Sequence, residues 1–447
     1  MPSPKPRPFL WLLRKEWREL LLSRSWWLLV LLMGPLTGMP YLSALRTYAE
    51  FSQQSGTVAD AGEALSPLIG VWAPAFSGCE LAAVFLLPFV AIRIIGADRL
   101  SGAAKLELQR RASPISRIVA KALVALGGWL IAMTPAACTL VSWKCYGGAL
   151  HWPEIASLFT GHVLNAGLTI AVAAAAASIT EHPSTAAVVT LGVTVGAWIV
   201  NFFAALQGGL WERVAAFTPA AVVGDFQRGL FRMDAVLVAL VLTLAGLGLA
   251  SIWQFTGVRT RVNLARSASL SLVAVAALWG ASHVRLDWDV SQNRANSFPL
   301  PDELALRRIQ QPLRILARLA PQDPRRADLE RNAFAKLRRT MPHVDIAFAA
   351  STSTGMFEQT SEGYGEIQYQ MDGRLVLSRA TTVDGVLEAV YAVSLTEAAK
   401  DVQEAAFRGR PLAIDPAGGS TLFYLLLPGF TLLSGFLIHR RFTWLPK

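Results

Sequence analysis

The sequence predicts a polytopic α-helical membrane protein with eight transmembrane helices and a small extracytoplasmic α/β domain set between the last two. Three observations carry this. Of 447 residues, 53% are hydrophobic and only 16% are charged, whereas a soluble domain carries about 25% charged residues. Apolar runs of about 20 residues, the length that crosses ~30 Å of hydrocarbon, recur along the chain almost free of charge. The polar residues gather instead at the start and in one block, residues 285–418. The net charge is +10. The basic residues sit beside the apolar runs, so they set topology rather than recognise nucleic acid, and no nucleic-acid partner is expected.

Residues 1–24 read as a cytoplasmic amphipathic helix in the membrane interface. In PFLWLLRKEWRELLLSR, Leu10, Leu13, Trp17, Leu20 and Leu21 follow helical spacing, and Arg14, Lys15, Arg18 and Glu19 fill the other face. A secretory signal is the rival reading. It is disfavoured because the basic region is long and itself amphipathic, and no small-residue cleavage site follows.

The eight apolar segments are 25–45, 71–95, 118–143, 157–179, 185–206, 235–255, 267–283 and 421–438, the seventh being short. Four basic stretches then fall on one side of the membrane: Lys5 to Arg24; Arg99, Lys105, Arg110, Arg111 and Arg117; Arg259, Arg261 and Arg266; and Arg440, Arg441 and Lys447. By the positive-inside rule that side is cytoplasmic, with both termini inside, in the cell inner (cytoplasmic) membrane. The block 285–418 has soluble-domain patterning. PLRILARLA, VDIAFAAS, YGEIQYQM and RLVLSRA read as strands, ADLERNAFAKLRRTM as a helix, and TVDGVLEAVYAVSLTEAAKDVQEAAF as one or two helices.

Several chemistries find no support in the residues. Nucleotide hydrolysis through a P-loop needs a Gly-Lys-Ser/Thr turn, and the chain has no Gly-Lys dipeptide. Cys79, Cys138 and Cys145 are odd in number and lack CxxC spacing, so they form neither a disulfide framework nor a zinc site, although a Cys79–Cys145 bridge is one conceivable pairing. The six histidines are scattered and no metal is expected. His343 stands alone in the polar block, and no catalytic constellation is legible there. Three polar residues within spans are candidates for a pathway: Glu80, Asn165 and Asn201. An intramembrane carboxylate tends to face a partner or a water-filled path; alternatively the second span starts after Glu80. Asn165, Asn201 and Thr169 equally suit interhelical hydrogen bonds. Arg93 snorkels to the inner surface.

The stretch ADRLSGAAKLELQRRASPISRIVAKAL between the second and third spans alternates charge with Leu100, Leu106 and Leu108 and breaks at Ser113-Pro114. An ordinary positive-inside loop is the plain reading. The pattern also resembles the ABC-2 permease family, with Asp98-Arg99-Leu100-Ser101-Gly102, then Leu106-Glu107-Leu108, then Ser113-Pro114-Ile115-Ser116-Arg117 before the third span. The helix LLRKEWRELLLSR and the segment FTPAAVVGDFQRGLFRMDAV are similar to its gliding-motility-type members; the resemblance covers roughly residues 8–255. Asp287-Trp288-Asp289, Ser291, Arg294 and Ser297-Phe298 resemble the opening motif of the auxiliary protein that pairs with such permeases, here fused and shortened.

The resemblance implies a six-helix permease domain at 25–257; the apolar runs and loop charges add a cytoplasmic loop and seventh helix at 258–284, the outer domain at 285–418, and the eighth helix and cytoplasmic tail at 419–447. It implies an ABC exporter subunit that is not itself an enzyme and binds no cofactor, ATP and Mg being held by a partner ATPase. Asp98, Arg99, Gly102, Leu106, Glu107, Leu108, Arg110, Pro114 and Arg117 would receive that ATPase's stroke, beside Arg14, Lys15, Trp17 and Arg18 of the interfacial helix. A second permease half, in a homodimer, and an extracytoplasmic protein are the further implied partners. The alternative is a non-transporting membrane scaffold whose outer domain binds an envelope partner.

Overall fold

A computed structural model describes residues 8–54, 66–100, 113–207, 210–215, 217–254, 258–320, 323–349, 363–396, 412 and 418–443. Among them, eight helices are long and apolar enough to cross a membrane: Arg24–Ser52, Leu68–Gly96, Pro114–Cys145, Trp152–Ile179, Pro183–Ala204, Met233–Trp253, Thr260–Ala281 and Gly419–Arg441. We refer to them as spans one to eight. Each apolar run of the sequence overlaps one of them, the fifth, sixth and seventh runs ending two residues past the span. The seventh is not short: its helix starts at Thr260, because Arg261, Asn263 and Arg266 continue the helix beyond the apolar run.

The chain divides into two compact units: Met1–Trp198, Phe217–Val290 and Arg408–Lys447 form the first, and Ile199–Ala216 with Ser291–Phe407 the second.

In the first unit the helices approach through small residues, as expected where lipid tails remove any hydrophobic drive between helices. Gly34 and Gly38 of span one form a GxxxG face for span eight. A Cβ on Gly34 would lie 2.9 Å from the Phe423 carbonyl oxygen, and a Cβ on Gly38 within contact of the Phe423 side chain. The Tyr41 and Phe423 rings meet at 5.6 Å. Gly78 lets span two abut the backbone of span one at Leu36. Spans two and three are each interrupted midway, Ala73–Phe85 giving way to Leu87–Leu100 and Pro114–Ala132 to Thr134–Cys145. Pro88 and Pro135 sit just after the breaks, where each removes a helix N–H. Trp143 joins three spans, its ring 5.4 Å from Tyr48 and 5.5 Å from Trp72.

Helix α1 (Pro8–Leu21) docks on span three. Gly127 and Gly128 admit it: a Cβ on Gly127 would meet the Trp17 ring at 2.7 Å, and one on Gly128 would meet Leu20 at 2.6 Å. Trp26 Nε1 donates to the Gly128 carbonyl at 3.1 Å. The most buried stripe of α1 is Leu12, Glu16 and Leu20, spaced i, i+4, i+8, while Leu10 is exposed. The sequence reading put Leu10 on the apolar face and left Glu16 unassigned; the docked face is rotated from that expectation and carries a carboxylate.

Helix α2 (Pro219–Gln227) packs along span four. A two-stranded ribbon follows, β1 (Leu230–Arg232) antiparallel to β2 (Asp287–Asp289), with Phe231 opposite Trp288. The ribbon clasps the start of span six to the chain beyond span seven.

The second unit holds a four-stranded sheet in the order β4-β3-β5-β6, with β3 Leu313–Ala317, β4 Val344–Phe348, β5 Ile367–Met371 and β6 Arg374–Ser378. β3 and β4 are parallel, so a crossover must join them. It is the helix α4, running Pro324–Leu329, Glu330–Phe334 and Ala335–Thr340, preceded by α3 (Leu300–Arg308). β5 and β6 form a hairpin closed by Asp372-Gly373, both at positive φ (49° and 77°), the conformation a two-residue Asp-Gly turn supplies. α5 (Val383–Ser394) covers the sheet, and its Val386 and Val390 are wholly buried in one core with Phe334, Leu337 and Tyr369. Residues 397–407 of the second predicted helical stretch lie outside the described residues.

Candidate functional site

Two polar constellations lie inside the first unit. At the α1 end of the bundle, Lys121 of span three and Glu16 of α1 are both almost wholly buried. Lys121 Nζ donates to Glu16 Oε2 at 2.9 Å and to the Ile94 carbonyl at 2.8 Å, and stands 2.6 Å from Asp98 Oδ2. Lys15 Nζ donates to Asp98 Oδ1 at 2.8 Å and lies 3.3 Å from Glu16 Oε1 and 3.4 Å from Glu19 Oε1. The core of the cluster is two lysines and two carboxylates, formally neutral. Bringing four charges out of water costs several kcal/mol each unless partners replace the solvent, and here each carboxylate meets both lysines.

The two carboxyls differ. Burial pushes Glu16 above the usual glutamate range, against the pull of Lys121 and Lys15. Burial also works on Asp98, but Lys121 and Lys15 outweigh it and hold Asp98 below the usual aspartate range. Glu16 is therefore the first of the pair to take a proton as pH falls.

This cluster assembles three elements distant in the chain: α1, the end of the helix of span two, and the first third of span three. Pro114 is the first residue of the span-three helix, whose cap is Ser113, its Oγ accepting from the Ser116 backbone N–H at 3.2 Å. Arg117, one turn later, is buried, and its Nε and Nη2 find no hydrogen-bond acceptor among the described residues. Trp17 packs on Gly127, and Arg14 and Arg18 are exposed. The Arg99 side chain and residues 101–112, which include Gly102, Leu106, Glu107, Leu108 and Arg110, lie outside the described residues.

The second constellation is midway along the bundle. Span two begins at Leu68, so Glu80 sits about 18 Å along the helix rather than at its end. Gln227 Nε2, the last residue of α2, donates to Glu80 Oε1 at 2.6 Å. Glu80, Asn165, Thr169 and Thr194 share a cavity of about 20 Å³ with Pro219 and Val223 of α2. That is room for one water, in a site with enough polar partners to hold it. Asn201, the third predicted pathway residue, does not line it. One turn from Asn165, His162 is wholly buried, and neither ring nitrogen has a hydrogen-bond partner among the described residues, its ring 5.1 Å from that of Phe76.

The predicted opening motif of the polar block divides. Asp287 and Asp289 belong to β2 and pair with β1. Ser291, Arg294 and Ser297 start the second unit: Ser291 Oγ accepts from the Ala295 N–H at 2.9 Å, Arg294 donates to Glu303 at 2.8 Å, and the Ser297 N–H reaches the Arg294 carbonyl at 2.9 Å. Arg232 of β1 bridges Asp225 at 2.7 Å and Asp234 at 2.5 Å, and these carboxylates raise its pKa against the opposing effect of burial. Among the described residues no group of three or more metal-ligating side chains comes together, and Cys79, Cys138 and Cys145 are free thiols.

No family model matches the chain, and neither a curated protein nor a solved structure matches it.

Glu16, Lys121, His162 and Gln227 were not singled out in the sequence. A signal existed for two of them: Lys121 and His162 are polar residues inside apolar runs, which demand a partner or a purpose.

Proposed function

We propose that the chain is the membrane-spanning permease subunit of an ABC-type exporter, driven by a separate ATPase bound at its cytoplasmic face. Spans one to six are its six-helix permease bundle, and residues 285–418 an extracytoplasmic domain held between spans seven and eight. The observation that carries this reading is the buried network of Lys15, Glu16, Asp98 and Lys121. It clamps α1 to the ends of spans two and three that flank the loop resembling the ABC-2 contact. A push on that loop would therefore move α1 and both spans as one body. Packed elements with discrete arrangements transmit such motion. The interruptions at Leu86 and Met133 lie farther along the same two spans and offer places for them to bend. The Glu80–Asn165–Thr194 cavity, closed by α2, suits a polar station on the path. The basic loops support cytoplasmic termini.

The reading is tested by ATP hydrolysis of the purified assembly. Substrate-stimulated turnover should be lost in a Glu107→Lys, Arg110→Glu variant that still inserts and binds the ATPase. Unchanged stimulation would remove that loop as the contact.

One observation favours a second reading, a scaffold whose outer domain binds an envelope partner. Leu375 and Leu377 are both more than half exposed on β6, the edge strand of the sheet, and an exposed apolar edge is a ready template for a partner.

A further inference from the structure

Spans one and eight enclose a groove of about 420 Å³ at the end where Arg24 and His439 lie. Its walls are apolar, chiefly Leu28 and Leu31 on one side and Leu432 and Phe436 on the other. Among the described residues, the ionisable ones that line it are Arg24 and His439. The distance from Arg24 to Leu31, and from His439 back to Leu432, is about 10 Å along each helix. Charge is thus confined to the mouth and hydrocarbon fills the rest. Arg24 is exposed and forms no ion pair among the described residues, no carboxylate lines the groove, and Arg440 and Arg441 follow His439 in the chain.

A basic mouth over an apolar trough between transmembrane helices is the chemistry of an anionic amphiphile. Leu28, Leu432 and Phe436 are all more than half exposed, so the trough opens to the lipid side of the bundle. The volume lies within the range of small-molecule sites. The basic mouth separates an anionic head from a zwitterionic one, since only the former leaves Arg24 a net charge to pair with.

We propose that this groove binds an anionic glycerophospholipid of the inner leaflet, its phosphate held at Arg24 and His439 and one acyl chain laid between spans one and eight. The assignment to the inner leaflet rests on the orientation proposed above. Lipid retention itself is read without any ATPase, so its failure and that of the export reading are separable.

The test uses the full chain purified in mild detergent. It is exposed to dioleoylphosphatidylglycerol or dioleoylphosphatidylcholine, and retained lipid is counted by native mass spectrometry. Phosphatidylglycerol should be retained in preference. Arg24→Ala should weaken its retention about fivefold, the effect of one basic residue near the surface, with phosphatidylcholine unchanged. Arg24→Lys should keep most of the preference. Leu28→Trp, which fills the trough from an exposed position, should lose both lipids. Phosphatidylglycerol retention indifferent to Arg24→Ala, or wild-type retention in Leu28→Trp, would overturn the proposal. So would a disulfide between copies of a Leu432→Cys chain in native membranes, which would put a second copy of the protein in the groove.

Discussion

Replacing Lys121 with Met should expose how the α1 clamp is built. The side chain is almost wholly buried and meets Glu16 Oε2, Asp98 Oδ2 and the Ile94 carbonyl within 2.9 Å. Its loss takes from both carboxylates one of the two lysines they share and leaves Lys15. Removing one partner of a buried ion pair costs about 3–5 kcal/mol. Glu16→Gln behaves differently. The folded protein raises the Glu16 pKa, so the charged form is disfavoured there and a neutral amide costs little at pH 7. In the Lys121→Met background the same change removes one uncompensated charge and should restore about 2 kcal/mol, within the usual coupling between contacting residues. Reversible unfolding in mixed micelles, followed by fluorescence of the 14 tryptophans, measures all four corners of the cycle. The sign with pH follows from the shifts. Glu16, raised, contributes stability that is present below its unfolded pKa and lost as pH rises through the folded one. Asp98, depressed, contributes stability present above its unfolded pKa and lost as pH falls through the folded one. Wild type should therefore gain on Glu16→Gln as pH falls through the Glu16 titration. A Lys121→Met chain within about 0.5 kcal/mol of wild type, the range of an ordinary surface substitution, would refute the reasoning. So would a double variant no more stable than the single one.

Gly38→Val should cost about 1–3 kcal/mol by overpacking, because even a Cβ there would collide with Phe423 Cβ; unchanged unfolding would separate spans one and eight. Glu80→Leu should abolish substrate-stimulated turnover while leaving ATPase binding intact, since it removes the acceptor of Gln227 and the carboxyl group lining the cavity; wild-type stimulation would take Glu80 out of the path. Residues 291–407 expressed alone should be soluble with mixed α/β circular dichroism, because the buried core of the sheet draws on that segment; an unfolded product would show that this core needs the bundle.

The membrane helices were legible because their signal is length and apolarity, which need no partner to be read. The strands were legible for a similar reason: Leu313, Ile315 and Ala317 alternate with more exposed residues, and that alternation survives in the fold. The clamp was not legible. Glu16 lies within a run of charges that looks solvated, and its partner Lys121 is 105 residues away. Only the docking of α1 on Gly127 and Gly128 decides which face turns inward. Gln227 was hidden likewise, since nothing in FTPAAVVGDFQRGLF says that α2 packs along span four. The opening motif around Asp287 looked like one piece, yet β2 pairs with β1, 57 residues earlier at the central pair of Phe231 and Trp288.

The proposed pairing of this chain with a separate ATPase is tested by affinity purification of the tagged chain from its native membrane in mild detergent, with identification of the bound chains. A P-loop ATPase in stoichiometric amount is expected, retained by wild type and by Glu80→Leu. Purification of the intact chain with no nucleotide-binding partner, or only with an envelope protein, would contradict it.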